Sequence, residues 1–212
     1  MRVLISESTI DVNSKTKLER CQLSLNDEII SPLSQIMLIA FQVVSSRGGA
    51  PCHLTLDSNR KLLFAANYVN SLTAFQLNDE GKISHEIYSE AFGSGSNIKP
   101  DRQGDAHPHA VVLWNDFLFV VDLGADKIWR YRITTKDDGQ HGLEKVGETK
   151  TPLGWGPRHM AIKNNTAYVI FELETKIGVY QIDAFTGELI FVSALPTVAD
   201  KSNWNFTFKN VF

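Results

Sequence analysis

The sequence predicts an all-β chain organised as a β-propeller of four-stranded antiparallel blades. Three observations predict it: a motif recurring at intervals of roughly fifty residues, the same turn chemistry recurring between the same strands, and no long helical period between them. Ala50-Pro51-Cys52-His53-Leu54, His107-Pro108-His109-Ala110-Val111 and Gly156-Pro157-Arg158-His159-Met160 place His53, His109 and His159 at spacings of 56 and 50. Each histidine opens a short apolar strand.

The remaining strands follow in one order. Second strands read Leu63-Phe64-Ala65-Ala66-Asn67, Leu118-Phe119-Val120-Val121-Asp122 and Ala167-Tyr168-Val169-Ile170-Phe171, rich in the aromatic and aliphatic residues that suit a pleated, buried surface. Before them lie Asp57-Ser58-Asn59, Asn115-Asp116 and Asn164-Asn165, residue types that tolerate the positive φ of tight hairpins. Third strands over residues 71–77, 127–133 and 176–182 alternate apolar and polar positions, which means one buried face. Polar or glycine-bearing turns then lead to weaker fourth strands around Ile83, residues 143–146 and residues 189–192. A sandwich has no need to repeat its turns or to return a histidine to one position.

Composition narrows the function classes. The 212 residues are 43% hydrophobic and 21% charged, ordinary values for a globular chain, and the net charge of -3 supplies no basic run to follow a phosphate backbone. Nucleic acid is therefore not an expected partner. The first residues lack the apolar stretch of a secretory signal, and the longest apolar run, residues 36–41, is far too short to span a bilayer. Cys21 and Cys52 form neither a C-x-x-C pair nor a zinc set. A cytoplasmic location with no membrane partner is expected.

The repeats resemble the lactonase propeller family of bacterial and fungal 6-phosphogluconolactonases, related to the carboxymuconate lactonising enzymes. Gly49-Ala50-Pro51-Cys52-His53-Leu54 with Leu63-Phe64-Ala65-Ala66-Asn67-Tyr68 is similar to that family's G-x-P-C-H-L and L-x-x-A-N-Y segments. Asp105-Ala106-His107-Pro108-His109 resembles its paired-histidine segment, Phe119-Val120-Val121-Asp122-Leu123-Gly124 the stretch after it, and Gly156-Pro157-Arg158-His159 its G-P-R-H. The resemblance implies a seven-bladed propeller that hydrolyses a phosphorylated sugar lactone to its acid, a pentose phosphate pathway reaction, with water and no cofactor. It equally admits a muconate-type lactonising cycloisomerase, and a non-catalytic binding propeller stands as a third reading.

Two departures accompany it. At the roughly fifty residues per blade of these repeats, 212 residues provide fewer than five blades. Residues 1–44 read as irregular or partial blades, with strand-like segments over 17–23, 29–34 and 38–44; residues 45–192 read as about three blades; residues 193–212 read as the truncated start of another, without the family's S-N-R-G strand. A fragment or shortened gene product is one expectation, and self-association through open blade edges is another.

Lactone hydrolysis needs a group to activate water, donors for the oxyanion and a cation for a phosphate. His107, His109, Arg158 and Glu172 are the expected catalytic residues, with His53, Asp122 and His159 as substrate-binding groups and no metal. His107 is aligned with Pro51 and Pro157, and Arg158 with Cys52 and Pro108, so neither is demanded by the blade framework. Arg158 presents a planar fork that suits phosphate or carboxylate, and the resemblance assigns it and Glu172 catalytic roles. Residues 93–105 form a glycine-rich loop, carrying Asp101, Arg102 and Asp105, that is placed to cover the channel. Trp114, Trp129 and Trp155 are expected in inter-blade packing.

Overall fold

The computed structural model describes residues 42–197. The strand-like segments at 17–23 and 29–34, most of 38–44, and residues 198–212 lie outside the described residues; residues 42–46 are irregular. Three four-stranded antiparallel sheets occupy residues 49–196. The first contains β1 (Gly49–Asp57), β2 (Leu62–Val69), β3 (Ser71–Leu77) and β4 (Ile83–Ala91). A connection carrying the one-turn helix α1 (Pro100–Gln103) leads to β5 (Pro108–Trp114), β6 (Phe117–Asp122), β7 (Lys127–Thr135) and β8 (His141–Lys150). The third sheet is β9 (Pro157–Lys163), β10 (Thr166–Phe171), β11 (Lys176–Ile182) and β12 (Leu189–Pro196). Strands pair in chain order within every sheet, the meander of a propeller blade. Among the described residues no helix is long and apolar enough to cross a membrane.

Turn chemistry fixes the meander. Asn115 and Asn164 take the positive φ expected of them, whereas in the first blade that conformation falls on Lys61, because Asp57 instead accepts the Asn59 and Arg60 backbone N–H groups. The next turn of each blade repeats a positive φ at Asn70, Asp126 and Thr175.

Burial records which blade has two neighbours. Every residue of β6 is buried, since the middle sheet packs on both faces, while β10 alternates and leaves Tyr168 and Ile170 exposed. Leu62, Phe64 and Leu72 meet Val111, Leu118 and Tyr131 in one core; Phe119, Val121 and Ile128 meet Val169, Phe171 and Tyr180 in the other. Burial of each such side chain contributes about 1.5–3 kcal/mol. Trp129 stacks on Phe92 at 5.3 Å, and Trp114 and Trp155 pack against the second core, as expected of inter-blade aromatics. The fourth strands are longer than their sequences suggested, at 9, 10 and 8 residues, with β12 reaching Pro196. They lie at the sheet edge, mostly exposed, and are held by the ladder to the third strand, so apolar periodicity hardly marks them.

Candidate active site

β5 packs against both β1 and β9, which brings the first strands of three blades side by side. Each of these strands carries a bulge at its start. Pro51 pairs with Asn67 and His53 with Ala66; Pro108 pairs with Asp122 and Ala110 with Val121; Pro157 pairs with Phe171 and His159 with Ile170. The extra residues between the registered positions are Cys52, His109 and Arg158, and a bulge re-aims the side chain it carries.

This register corrects the sequence alignment by one residue in the middle blade. Pro51, Pro108 and Pro157 are equivalent, so His109 matches Cys52 and Arg158, while His53 and His159 match Ala110. His107 occupies the position of Gly156, not of Pro157: Leu123 N–H donates to the His107 carbonyl as Glu172 N–H does to that of Gly156. Aligning on histidines failed because Pro108 stands between two of them. His109 is thus not a framework histidine. It and Arg158 are bulge residues whose identity the blade does not dictate.

The expected residues converge, with one exception. His109 and His159 rings lie 5.1 Å apart and His159 and His53 rings 5.8 Å apart, a chain of imidazoles drawn from three blades. Tyr68 stacks on His107 at 4.3 Å and meets His109 edge-on at 5.8 Å. His107 Nδ1 lies 2.9 Å from the Tyr68 carbonyl, which can only accept, so Nδ1 carries the proton and Nε2 of the neutral ring is an acceptor. Glu172 is fixed through its backbone by Gly156, which has φ 59°; a Cβ there would sit 2.7 Å from Leu173 Cγ. Glu172 Oε2 accepts from Arg158 Nη1 at 2.8 Å, and Oε1 from Arg102 Nη2 at 2.5 Å.

Asp122 is the exception. Expected among the substrate-binding groups, it is fully buried, and its carboxylate accepts the His107 and Ala125 backbone N–H groups and Trp129 Nε1–H. It positions the His107 segment from beneath. Sequence reasoning also left Arg102 as a loop residue and Tyr68 without a role. Tyr68 was legible, since it follows Asn67 in the second strand of its blade as Glu172 follows the equivalent Phe171. Among the described residues no group of three or more His, Cys, Asp or Glu side chains is arranged to hold a metal.

Electrostatics set the protonation states. Burial, then the charges of Arg158 and His159, push His109 down from 6.5 to about 4, so it is neutral at physiological pH. Burial and Arg158 lower His159, and burial and His159 lower His53. For Glu172, burial favours the protonated form, but the Arg102 hydrogen bond and charge, Arg158 and His109 outweigh it and hold the carboxyl below its ordinary range. The His109 shift has a measurable consequence. Between pH 6.5 and about 4 the unfolded chain takes up a proton that folded His109 refuses, so stability is lost as pH falls through that window. The loss is roughly 3 kcal/mol for this group, and depressed Glu172 adds to it at the acid end. Urea unfolding at pH 7 and pH 4 measures it: His109→Asn should flatten the dependence, and a parent midpoint unchanged with pH would show that His109 titrates normally.

Stacked four-stranded blades, with a histidine-rich, doubly cationic cluster at the mouth of their first strands, define a β-propeller with a candidate anion-binding site. The chain belongs to the family described as "Lactonase, 7-bladed beta-propeller", whose profile matches residues 34–208. It is 32% identical over 171 residues to the 6-phosphogluconolactonase of Formosa agariphila, covering 78% of this chain and 47% of that protein. To the 6-phosphogluconolactonase of Bacillus subtilis it is 30% identical over 157 residues, covering 70% and 43%. Among solved structures it is similar to the periplasmic gluconolactonase of Pseudomonas aeruginosa, with a TM-score of 0.64 at 26% identity, over 72% of this chain and 43% of that one. The chain spans less than half the length of these relatives.

Proposed function

We propose that the site hydrolyses a sugar lactone, with a phosphorylated lactone of the 6-phosphogluconolactone type as its substrate. The observation that carries this reading is the carboxylate of Glu172 held between two guanidiniums beside neutral imidazoles. In the reaction, Glu172 takes a proton from water as the water oxygen bonds to the lactone carbonyl carbon. The carbonyl oxygen gains the negative charge and is met by Arg158, whose buried Nε has no partner among the described residues. The oxyanion then collapses, the bond from the carbonyl carbon to the ring oxygen breaks, and the ring oxygen recovers the proton from Glu172. The acid formed ionises, releasing one proton per ring opened. His107 Nε2 and His109 supply hydrogen-bonding partners for sugar hydroxyls. Names of the relatives and membership of the family support the same reaction class.

A pH-stat assay tests the proposal by titrating the proton released from 6-phosphogluconolactone and from gluconolactone in parallel. Release above the uncatalysed rate is expected, faster for the phosphorylated lactone. Absence of turnover with tight binding of 6-phosphogluconate would favour a binding propeller, and lactone formation from a dicarboxylic acid a cycloisomerase.

A further inference from the structure

Arg102 belongs to no blade. It sits on α1 in the 93–105 connection, yet it reaches the β10–β11 turn of the third blade. The connection is built as a fixed platform. Ser94 bridges to Asp105, Asn97 N–H donates to the Gln103 carbonyl at 2.8 Å, and the fully buried Gln103 side chain donates to the Leu123 carbonyl at 3.0 Å. Ser96 Oγ donates to Asp126 at 2.7 Å, and Lys99 Nζ donates to the Leu173 carbonyl at 2.9 Å and Glu174 Oε1 at 3.1 Å. So many anchors around a loop residue imply that its guanidinium is held in place.

What it holds is incomplete as an ion set. Two guanidiniums share one carboxylate, each on a different oxygen, which leaves one positive charge in excess. Arg102 is 36% and Arg158 38% exposed against 22% for Glu172, so the cations are open to a ligand while the carboxylate lies deeper. A guanidinium offers five donors and prefers a doubly charged, bidentate partner to a single carboxylate oxygen.

We propose that Arg102 is the residue by which this site selects phosphorylated lactones: the ligand's phosphate takes Arg102 from Glu172 and thereby releases Glu172 for proton abstraction. The inference rests on the lactone-hydrolase reading. Glu172 faces Arg102 from the connection, Arg158 and His159 from β9, and His109 from β5. With both arginines on it, the carboxylate is a weak base. Once a phosphate of about two negative charges occupies Arg102, Glu172 answers to Arg158 alone and its basicity rises towards the range that favours catalysis. The phosphate thus adds affinity and activates the base, whereas an unphosphorylated lactone binds without that contact and leaves Glu172 paired with Arg102.

The test compares Arg102→Gln with the parent on 6-phosphogluconolactone and gluconolactone. KM for the phosphorylated substrate should rise roughly ten- to hundred-fold, the scale of a lost charged hydrogen bond. Turnover of gluconolactone should increase, because Glu172 is released from Arg102, with the acid limb of its kcat moved to higher pH. A second measurement needs no variant to fold: inorganic phosphate added to the parent should accelerate gluconolactone hydrolysis. Equal losses on both lactones, or inhibition by phosphate without any acceleration, overturn the role of Arg102 alone. If the parent opens neither lactone, the functional reading falls and this inference with it.

Discussion

Glu172→Gln is expected to lower kcat for the phosphorylated lactone by roughly 10²- to 10⁴-fold, the range for loss of a positioned general base. The amide keeps the size of the carboxylate and one acceptor oxygen, but it cannot take a proton from water. The fold should tolerate the change. Both ion pairs of Glu172 involve arginines more than a third exposed, and pairs of that kind contribute at most about 1 kcal/mol. Product binding gives the sharper discrimination, since 6-phosphogluconate no longer has to displace a charged rival from Arg102 and should bind as well as before or better. Steady-state kinetics with calorimetry on one preparation measures both. A kcat within about threefold of the parent would show that Glu172 is only an anchor for the two arginines, and the base would then be sought at His107, whose Nε2 is the acceptor.

How far the sequence reveals this site depends on which forces placed each residue. Strand periodicity and turn residues act locally, so blades, hairpins and the three histidine segments were legible without coordinates. The bulge was not, because an extra residue in a strand changes pairing without changing composition. That single residue decides whether His109 is a framework imidazole or the counterpart of Arg158. Long-range placement was also hidden. Arg102 lies 70 positions from Glu172, in a connection without period, and only the hydrogen bonds that pin α1 reveal where its side chain goes. Phe171 shows the opposite case. It stands where the other blades carry Asn67 and Asp122. The structure shows instead that Phe171 is core, and that the Gly156 carbonyl orients Glu172 through its backbone.

Asp122→Ala is expected to destabilise the fold by roughly 3 kcal/mol or more, the largest stability effect among these residues, because it strands buried donors. Three N–H groups converge on this carboxylate at 2.7, 2.9 and 3.0 Å, from His107, Ala125 and Trp129. Asp122 is fully buried, so no water replaces it without a cavity being opened. Its own charge is costly. Burial pushes the carboxyl above its ordinary 3.8, against the pull of the three donors and of His107, so in the folded state it binds a proton more readily than in the unfolded chain. The stability tied to this shift is therefore greatest at low pH and declines as pH rises through the folded value. Asp122→Asn separates the two contributions. It removes the buried charge and keeps an oxygen for the His107 and Ala125 N–H groups, but it sets an amide donor against Trp129 Nε1–H. It should cost less than the alanine variant by a gap that does not change with pH, since neither replacement titrates, while the cost of each relative to the parent falls as pH rises. Urea unfolding of parent, Asn and Ala variants at pH 5 and pH 8 gives the comparison, with activity as a second readout. Because Asp122 anchors the backbone of His107 directly, the Ala variant should lose kcat even at temperatures where it remains folded. Equal stability of Ala and parent would mean that the three donors find other partners, and that Asp122 does not hold the His107 segment in place.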